Sequence, residues 1–300
     1  MGSKYSGLNK IPSGKAGKSL TKGCLVLEGG AFRGLYSQGA MDFLMQNDLN
    51  FECVIGVSAG ALGGMNYVSG QIGRSARVNL GYRHYSDYVG MKALLHAHSP
   101  IRIDFCLKDY NSTEPLDAER FNSPDRRFIA VATSCKSGET MYFENGKCGH
   151  IFDAIKASAS MPYISPMIDV DGTPCLDGGC SCKIPYKWAL DEGYEKIVIV
   201  RTREPEYRKK VNGKELPINP YKKYPEFLAK LETSNSAYNR QCEEILELEK
   251  SGRFFVLYPS SKVTISRLES DMEKLGALYW QGYNDTHDRL DLLKEYLAKS

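Results

Sequence analysis

Ser58 stands at the centre of Gly56-Val57-Ser58-Ala59-Gly60, directly after the apolar run Cys53-Val54-Ile55. A strand that turns sharply into a helix lifts such a serine onto a strained corner with its hydroxyl exposed, the arrangement of a nucleophile elbow. Glycines two residues to either side keep side chains clear of the adjoining strand and helix. Upstream, Cys24-Leu25-Val26-Leu27 runs into Glu28-Gly29-Gly30-Ala31-Phe32-Arg33-Gly34, after which Leu35, Tyr36, Ala40, Phe43 and Leu44 recur at helical spacing. Small residues at 29–31 leave backbone N–H groups uncovered at a helix N-terminus. Such a turn can hold a phosphate or the oxyanion of a tetrahedral acyl intermediate. Downstream, Leu176-Asp177-Gly178-Gly179 puts a carboxylate on a tight turn. A serine hydroxyl needs a base within hydrogen-bond reach to attack near neutral pH. A carboxylate can serve if burial raises its pKa toward the working range.

Three other chemistries compete for these residues. A dinucleotide-binding turn needs a third close-approach glycine where Ala31 stands, and an acidic residue ending the next strand, which instead ends in Gly56-Val57-Ser58. A Ser–Asp–His order would draw on His287, the only one of His84, His96, His98, His150 and His287 that follows Asp177. His287 lies in the polar run Tyr283-Asn284-Asp285-Thr286-His287-Asp288, which reads as a loop entering an amphipathic helix and favours a solvated histidine. Cys175, Cys180 and Cys182 cluster near Asp177, but no second pair at zinc-site spacing accompanies them, so packing thiols and no metal are expected.

The ordered set Gly-Gly-Ala-Phe-Arg-Gly (29–34), Gly-Val-Ser-Ala-Gly (56–60), Ala-Ser-Ala-Ser-Met-Pro (157–162) and Asp-Gly-Gly (177–179) resembles the patatin-like phospholipase family. The resemblance covers roughly residues 23–200. It implies a Ser–Asp dyad, with Ser58 as nucleophile and Asp177 as base. It also implies an oxyanion hole of the Gly29, Gly30 and Ala31 amides, an Arg33 that helps hold the glycine-rich loop, and Gly34, Gly56, Gly60, Gly178 and Gly179 as motif support. The family usually has glycine at the Ala31 position, where alanine is tolerated if its φ is negative. Glu28 stands where aspartate is common. The implied activity is hydrolysis of lipid esters through an acyl-serine. A small-molecule carboxylesterase on the same dyad and a catalytically silent lipid- or protein-binding member of the fold are the alternatives.

These residues need a layered scaffold. Phe128–Thr133, Lys196–Val200 and Arg253–Tyr258 look like further buried strands, and helical patterns recur near 153–160, 185–193, 224–250, 267–280 and 286–298. Strands alternating with helices predict an α/β fold with a mostly parallel central sheet flanked by helices and a helical C-terminal extension. The expected organisation is a flexible arm over residues 1–22, a catalytic core over 23–200 and an extension over 201–300 that adds a strand and helices. The aromatic-rich stretch 81–120 and the stretch near 205–225 are candidates for a lid or acyl-chain groove.

Among 300 residues the formal charge is only +3, too small to argue for nucleic acid. The most basic stretch, Arg208-Lys209-Lys210 and Lys222-Lys223 with Tyr207, Tyr221 and Tyr224, reads as a solvated loop or as a contact with an anionic lipid surface. No run approaches the roughly 20 apolar residues of a membrane span, and the first residues lack the apolar core of a secretory signal. Nine cysteines, an odd number, suggest reduced thiols. The expectation is a cytoplasmic protein, peripheral at the membrane if its substrate lies there, needing no organic cofactor.

Overall fold

β1 (Thr21–Leu27), β2 (Phe51–Val57) and β3 (Arg127–Ser134) are nearly continuous apolar runs because both of their faces are covered. The computed structural model, which describes residues 3–211 and 219–299, joins them to β4 (Thr140–Glu144), β5 (Ile168–Val170), β6 (Thr173–Asp177), β7 (Ile197–Val200) and β8 (Phe254–Leu257). The strand order is β8-β7-β1-β2-β3-β6-β5, with β4 also paired to β3. Neighbours from β8 through β3 run parallel, while β4, β5 and β6 form antiparallel pairs. The fold is therefore the mixed, mostly parallel α/β sheet that the sequence predicts. β4, β5 and β6 were not foreseen, because partly exposed strands carry no continuous apolar run.

The first half of the chain supplies α1 (Gly34–Gln46), α2 (Ala59–Val68), α3 (Arg74–Tyr82), α4 (Met91–Ala97), α5 (Ile103–Leu107) and α6 (Ala118–Phe121). The second supplies α7 (Ile151–Ser158), α8 (Tyr186–Asp191), α9 (Pro225–Lys250), α10 (Met272–Asp288) and α11 (Leu290–Ala298). Alternate residues of each strand point to opposite layers. Leu25, Leu27, Val54, Phe128 and Val198 pack with α1, α2, α3, α7, α10 and α11 on one face. Cys24, Val26, Ile55, Ile129 and Ile197 pack on the other with Tyr186 and Ala189 of α8 and Tyr238, Cys242 and Ile245 of α9.

Two expectations meet a different arrangement. The stretch read as a flexible arm is docked over its described part: Ile11 and Ala16 are buried, and Gly14–Lys15 pairs with Gln71–Ile72. Arg120 also fixes the Ala16 and Gly17 carbonyls at 2.6 and 2.7 Å. Two apolar side chains, Ile11 and Ala16, are enough to anchor a Gly/Ser/Lys-rich segment when a half-buried guanidinium satisfies its carbonyls. The second difference is α10, which begins at Met272, capped by the Asp271 carboxylate, and runs on through the polar stretch 283–288. That stretch stays helical because Gly282 and Thr286 lie on the buried side while the polar residues face outward.

α10 packs against α1 almost backbone to backbone. A Cβ on Gly282 would sit 1.9 Å from the Tyr36 carbonyl oxygen, and one on Gly39 would sit 2.0 Å from that of Tyr279. Tyr279 OH also donates to Asp42 Oδ2 at 2.8 Å. Because the obstacle is backbone, α10 must move to admit a methyl. Gly282→Ala is therefore expected to cost about 1–3 kcal/mol of stability, the scale of core overpacking, read as a fall in the urea midpoint at unchanged m-value.

Candidate active site

Where β2 ends, Ser58 takes φ 58° and ψ −120°, a sparsely populated conformation for any residue with a side chain. Such strain costs about 1–3 kcal/mol and persists only where its surroundings over-determine it. Here α2 starts at Ala59 and folds back so tightly that a Cβ on Gly60 would lie 2.6 Å from the Leu27 carbonyl oxygen. Gly56 is pressed equally hard against the Gly60 carbonyl, and Gly34 opens α1 against Ala59. The Ser58 amide donates to Ser158 Oγ at 2.8 Å, which pins the corner to the end of α7.

β6 delivers Asp177 to the same point. Ser58 Oγ donates to Asp177 Oδ2 at 2.8 Å, Asp177 Oδ1 accepts from the Gly179 amide at 2.7 Å, and the Asp177 amide donates to the Ser160 carbonyl at 2.8 Å. Gly178 is needed there because a Cβ would fall 2.2 Å from the Val131 carbonyl oxygen. Both Ser58 and Asp177 are 8% exposed. Burial pushes the Asp177 carboxyl above its ordinary range, opposed by the Gly179 and Ser58 hydrogen bonds and by Arg267 and Lys183.

The glycine-rich loop lies directly over this pair: a Cβ on Gly29 would be 3.1 Å from Ser58 Cβ. Among the described residues the amides of Gly29, Gly30 and Ala31 find no backbone acceptor, and all three residues line the cleft that holds Ser58 and Asp177. Ala31 corrects one expectation, because its φ is +49°, a left-handed conformation that costs a non-glycine residue roughly 1–2 kcal/mol. Arg33 is buried, yet its Nε has no partner among the described residues, so no hydrogen bond from Nε ties it to the loop. Glu28 does that instead, its Oε2 accepting from the Thr202 amide at 2.6 Å.

Two cavities meet at Ser58, Ala31 and Met161. One, of about 60 Å³, is walled by Phe32, Leu62, Met65, Val78, Ile101 and Ile103, and its far end is polar. There Arg74 already donates to the Glu114 carbonyl, Asn66 Oδ1 and Asn111 Oδ1. Tyr88, Ile101, Ile103 and Cys106 bring the aromatic-rich stretch 81–120 to this pocket. The other cavity, of about 510 Å³, holds Asp177 and, beyond it, Lys183, Arg203, Lys209 and Arg267. Of the stretch near 205–225, Tyr207 and Lys209 reach this cleft and Tyr221 is buried, while residues 212–218 lie outside the described residues.

The grouping of four cations is not visible in the sequence: Lys183, Arg203 and Arg267 lie outside the basic stretch, while Lys209 belongs to it and reads there as a solvated residue or a contact with an anionic lipid surface. No histidine lines either cavity among the described residues. His287 is exposed, in the last turn of α10, with Nδ1 3.0 Å from Asp288 Oδ1. Cys175 and Cys180 are buried packing thiols, and no group of three or more metal-ligating side chains is gathered among the described residues. No described helix is long and apolar enough to cross a membrane.

The patatin-like phospholipase family matches residues 25–190, and a domain of unknown function, DUF6363, matches residues 224–298. YjjU, an uncharacterized protein of Escherichia coli K12, is 28% identical over 183 residues, covering 59% of this chain and 51% of that relative. The match thus spans about half the length of the relative. Among solved structures, VipD from Legionella pneumophila superposes on 93% of this chain and 68% of its own, with 14% identity and a TM-score of 0.48.

Activation of Ser58 by the Asp177 carboxylate it contacts can be tested without choosing a substrate. A fluorophosphonate is expected to label Ser58, with the rate falling as pH drops through the raised Asp177 pKa, above the ~4 of an ordinary aspartate. The sign follows from the base having to be ionised. Mass spectrometry of the labelled peptide locates the adduct, and Asp177→Asn is expected to abolish both the labelling and its pH dependence.

Proposed function

The chain belongs to the patatin-like phospholipase family, and from that membership we propose that it is a serine hydrolase of lipid acyl esters working through a Ser58–Asp177 dyad. The observation that carries the proposal is the 2.8 Å hydrogen bond from Ser58 Oγ to Asp177 Oδ2, made at a strained corner facing the unpaired amides of the glycine-rich loop. In the proposed cycle Ser58 Oγ attacks the ester carbonyl while Asp177 takes its proton. Amides of Gly29, Gly30 and Ala31 receive the charge that develops on the carbonyl oxygen, a stabilisation worth ~3–4 kcal/mol per donor. Collapse expels the alcohol, protonated by Asp177, and leaves acyl-Ser58. Asp177 then deprotonates a water that attacks the acyl group, and its proton returns to Ser58 Oγ as the acid departs.

A second reading, a carboxylesterase for small acyl groups, is favoured by the size of the apolar pocket. Its 60 Å³ offers roughly four to six water-sized spaces, and its far end is polar. Longer chains would have to displace the segment that carries Tyr88, Ile101 and Ile103. On the same segment, Met91, Leu94 and Leu95 of α4 are 66%, 45% and 67% exposed, which supports peripheral contact with a lipid surface as the event that opens it. A silent binding role would give no reason for the strain at Ser58 to be maintained.

With p-nitrophenyl butyrate, Ser58→Ala and Asp177→Asn are each expected to lower kcat by about 10⁴-fold, on the scale seen when a catalytic serine or its partner is removed. His287→Ala is expected to stay within about twofold of wild type. Equal loss in His287→Ala would overturn the dyad. Against soluble esters of rising length, kcat/KM is expected to peak near four to six carbons, and to extend to longer chains only when vesicles are added.

A further inference from the structure

The smaller cavity at Ser58 has a largely apolar wall, and among the described residues that line it a single one is charged, the cation Arg74. Gln38 of α1, Asn66 of α2 and Asn79 of α3 line the cavity with it. Arg74 is 1% exposed and forms no ion pair among the described residues. Its Nε, Nη1 and Nη2 donate to the Glu114 carbonyl, Asn66 Oδ1 and Asn111 Oδ1 at 2.9, 2.6 and 2.7 Å. These acceptors are neutral, so they occupy three of the guanidinium's five N–H groups without supplying an opposite charge. The Glu114 carboxylate, whose charge does reach Arg74, is held instead by Nε and Nη2 of Arg77 and by the Tyr110 hydroxyl. Burial pulls the Arg74 guanidinium below its ordinary range, with Glu114 opposing.

The hydrogen bonds around this cavity leave its donors spare and its side-chain carbonyls spent. Asn66 Oδ1 is taken by Arg74, Asn79 Oδ1 by the Tyr88 hydroxyl at 2.8 Å, and Gln38 Oε1 by Asn79 Nδ2 at 3.3 Å. Two N–H groups of Arg74 remain. Gln38 is 4% exposed, and its Nε2 reaches no acceptor among the described residues. A buried pocket whose spare groups are donors, one of them charged, complements an anionic acceptor better than a hydrocarbon tip.

We infer that this pocket receives an acyl group ending in a carboxylate, so that the ester hydrolysed is the half ester of a short dicarboxylic acid. Arg74 and Gln38 are the groups that read the acyl tip. The inference rests on the hydrolase reading above and adds to it what the acyl half of the substrate carries. The cavity's 60 Å³, roughly four to six water-sized spaces, suits the methylenes and terminal carboxylate of a glutaryl group. The apolar wall treats that chain and a hydrocarbon of the same shape alike, so selectivity is decided at the tip.

The test compares glycerol esters of one shape, 1-glutarylglycerol, 1-(5-oxohexanoyl)glycerol and 1-(5-methylhexanoyl)glycerol, each followed as glycerol released. Wild type is expected to favour the glutaryl over the 5-methylhexanoyl ester by about tenfold or more in kcat/KM, mainly through KM. Arg74→Gln is expected to bring that ratio near one, and Arg74→Lys to keep part of it. Gln38→Met, which leaves the Arg74 tethers in place, is expected to lower the ratio about threefold, and it decides the matter if Arg74→Gln does not fold. Equal turnover of the glutaryl and 5-methylhexanoyl esters overturns the inference while leaving the dyad untouched. So does a ratio that survives Arg74→Gln. A 5-oxohexanoyl ester cleaved as well as the glutaryl ester marks neutral hydrogen bonding and overturns it, and a ratio erased by Lys209→Gln does the same by placing the carboxylate in the larger cavity. If wild type cleaves no ester, p-nitrophenyl butyrate included, the hydrolase reading fails separately. Calorimetry of wild type with monomethyl glutarate then decides: binding that Gln38→Met weakens upholds the carboxylate site, and absent binding, or binding indifferent to Gln38→Met, sinks it.

Discussion

The end of β2 carries a serine at φ 58°, and the surrounding architecture is arranged to hold it there. A positive φ at a residue with a Cβ is tolerated only when every relaxation is blocked. α2 blocks one by lying against the end of β1 through Gly60, and β6 blocks another by bringing Gly178 onto the Val131 carbonyl. Ser158 of α7 fixes the amide. The end of α7 and β6, about 100 and 119 residues away in the chain, thus each reach Ser58 by a hydrogen bond. They can do so only because parallel strands β1, β2 and β3 end at the same edge of the sheet.

Electrostatics at that edge pull in two directions. Asp177 is buried, which raises its proton affinity, while Arg267 and Lys183 lower it. The net result is a carboxyl held above its ordinary range, the direction that proton acceptance by a general base would need. The same cations form the wall of the larger cleft. An anion entering that cleft would offset them and raise the proton affinity of Asp177, which links the occupancy of the cleft to the protonation of the carboxyl.

Legibility in the sequence followed how local each physical requirement is. The elbow, the glycine-rich turn and the Asp-Gly-Gly turn could be read because each depends on small residues within five or six positions of one another. Strands β1, β2, β3, β7 and β8 could be read because burial on both faces leaves an unbroken apolar run. The docking of residues 3–22 could not, since it rests on Arg120, about a hundred positions away. The helical state of 283–288 was hidden because its buried side is made of Gly282 and Thr286 rather than large apolar residues. The cationic cleft was hidden for a related reason: Arg33, Lys183, Arg267 and the neighbouring Arg203 and Lys209 come from four separate segments, and only the folded chain brings them together. Ala31 shows the limit of local reasoning from the other side, because its left-handed backbone is imposed by the loop as a whole.

β1 occupies the middle of the sheet, between β2 and β7, yet β7 begins at Ile197, about 170 residues after β1 ends at Leu27. At a synthesis rate of ~5–20 residues per second, the ribosome needs roughly ten to thirty-five seconds to make that partner. During this interval Cys24-Leu25-Val26-Leu27 presents an apolar strand with an unsatisfied edge, next to a half-built glycine-rich loop whose Glu28 anchor, Thr202, does not yet exist. The nascent chain is therefore most vulnerable to misassociation at the segment that later supports its chemistry. Chaperone occupancy during translation should concentrate on β1 and be released only once β7 has emerged.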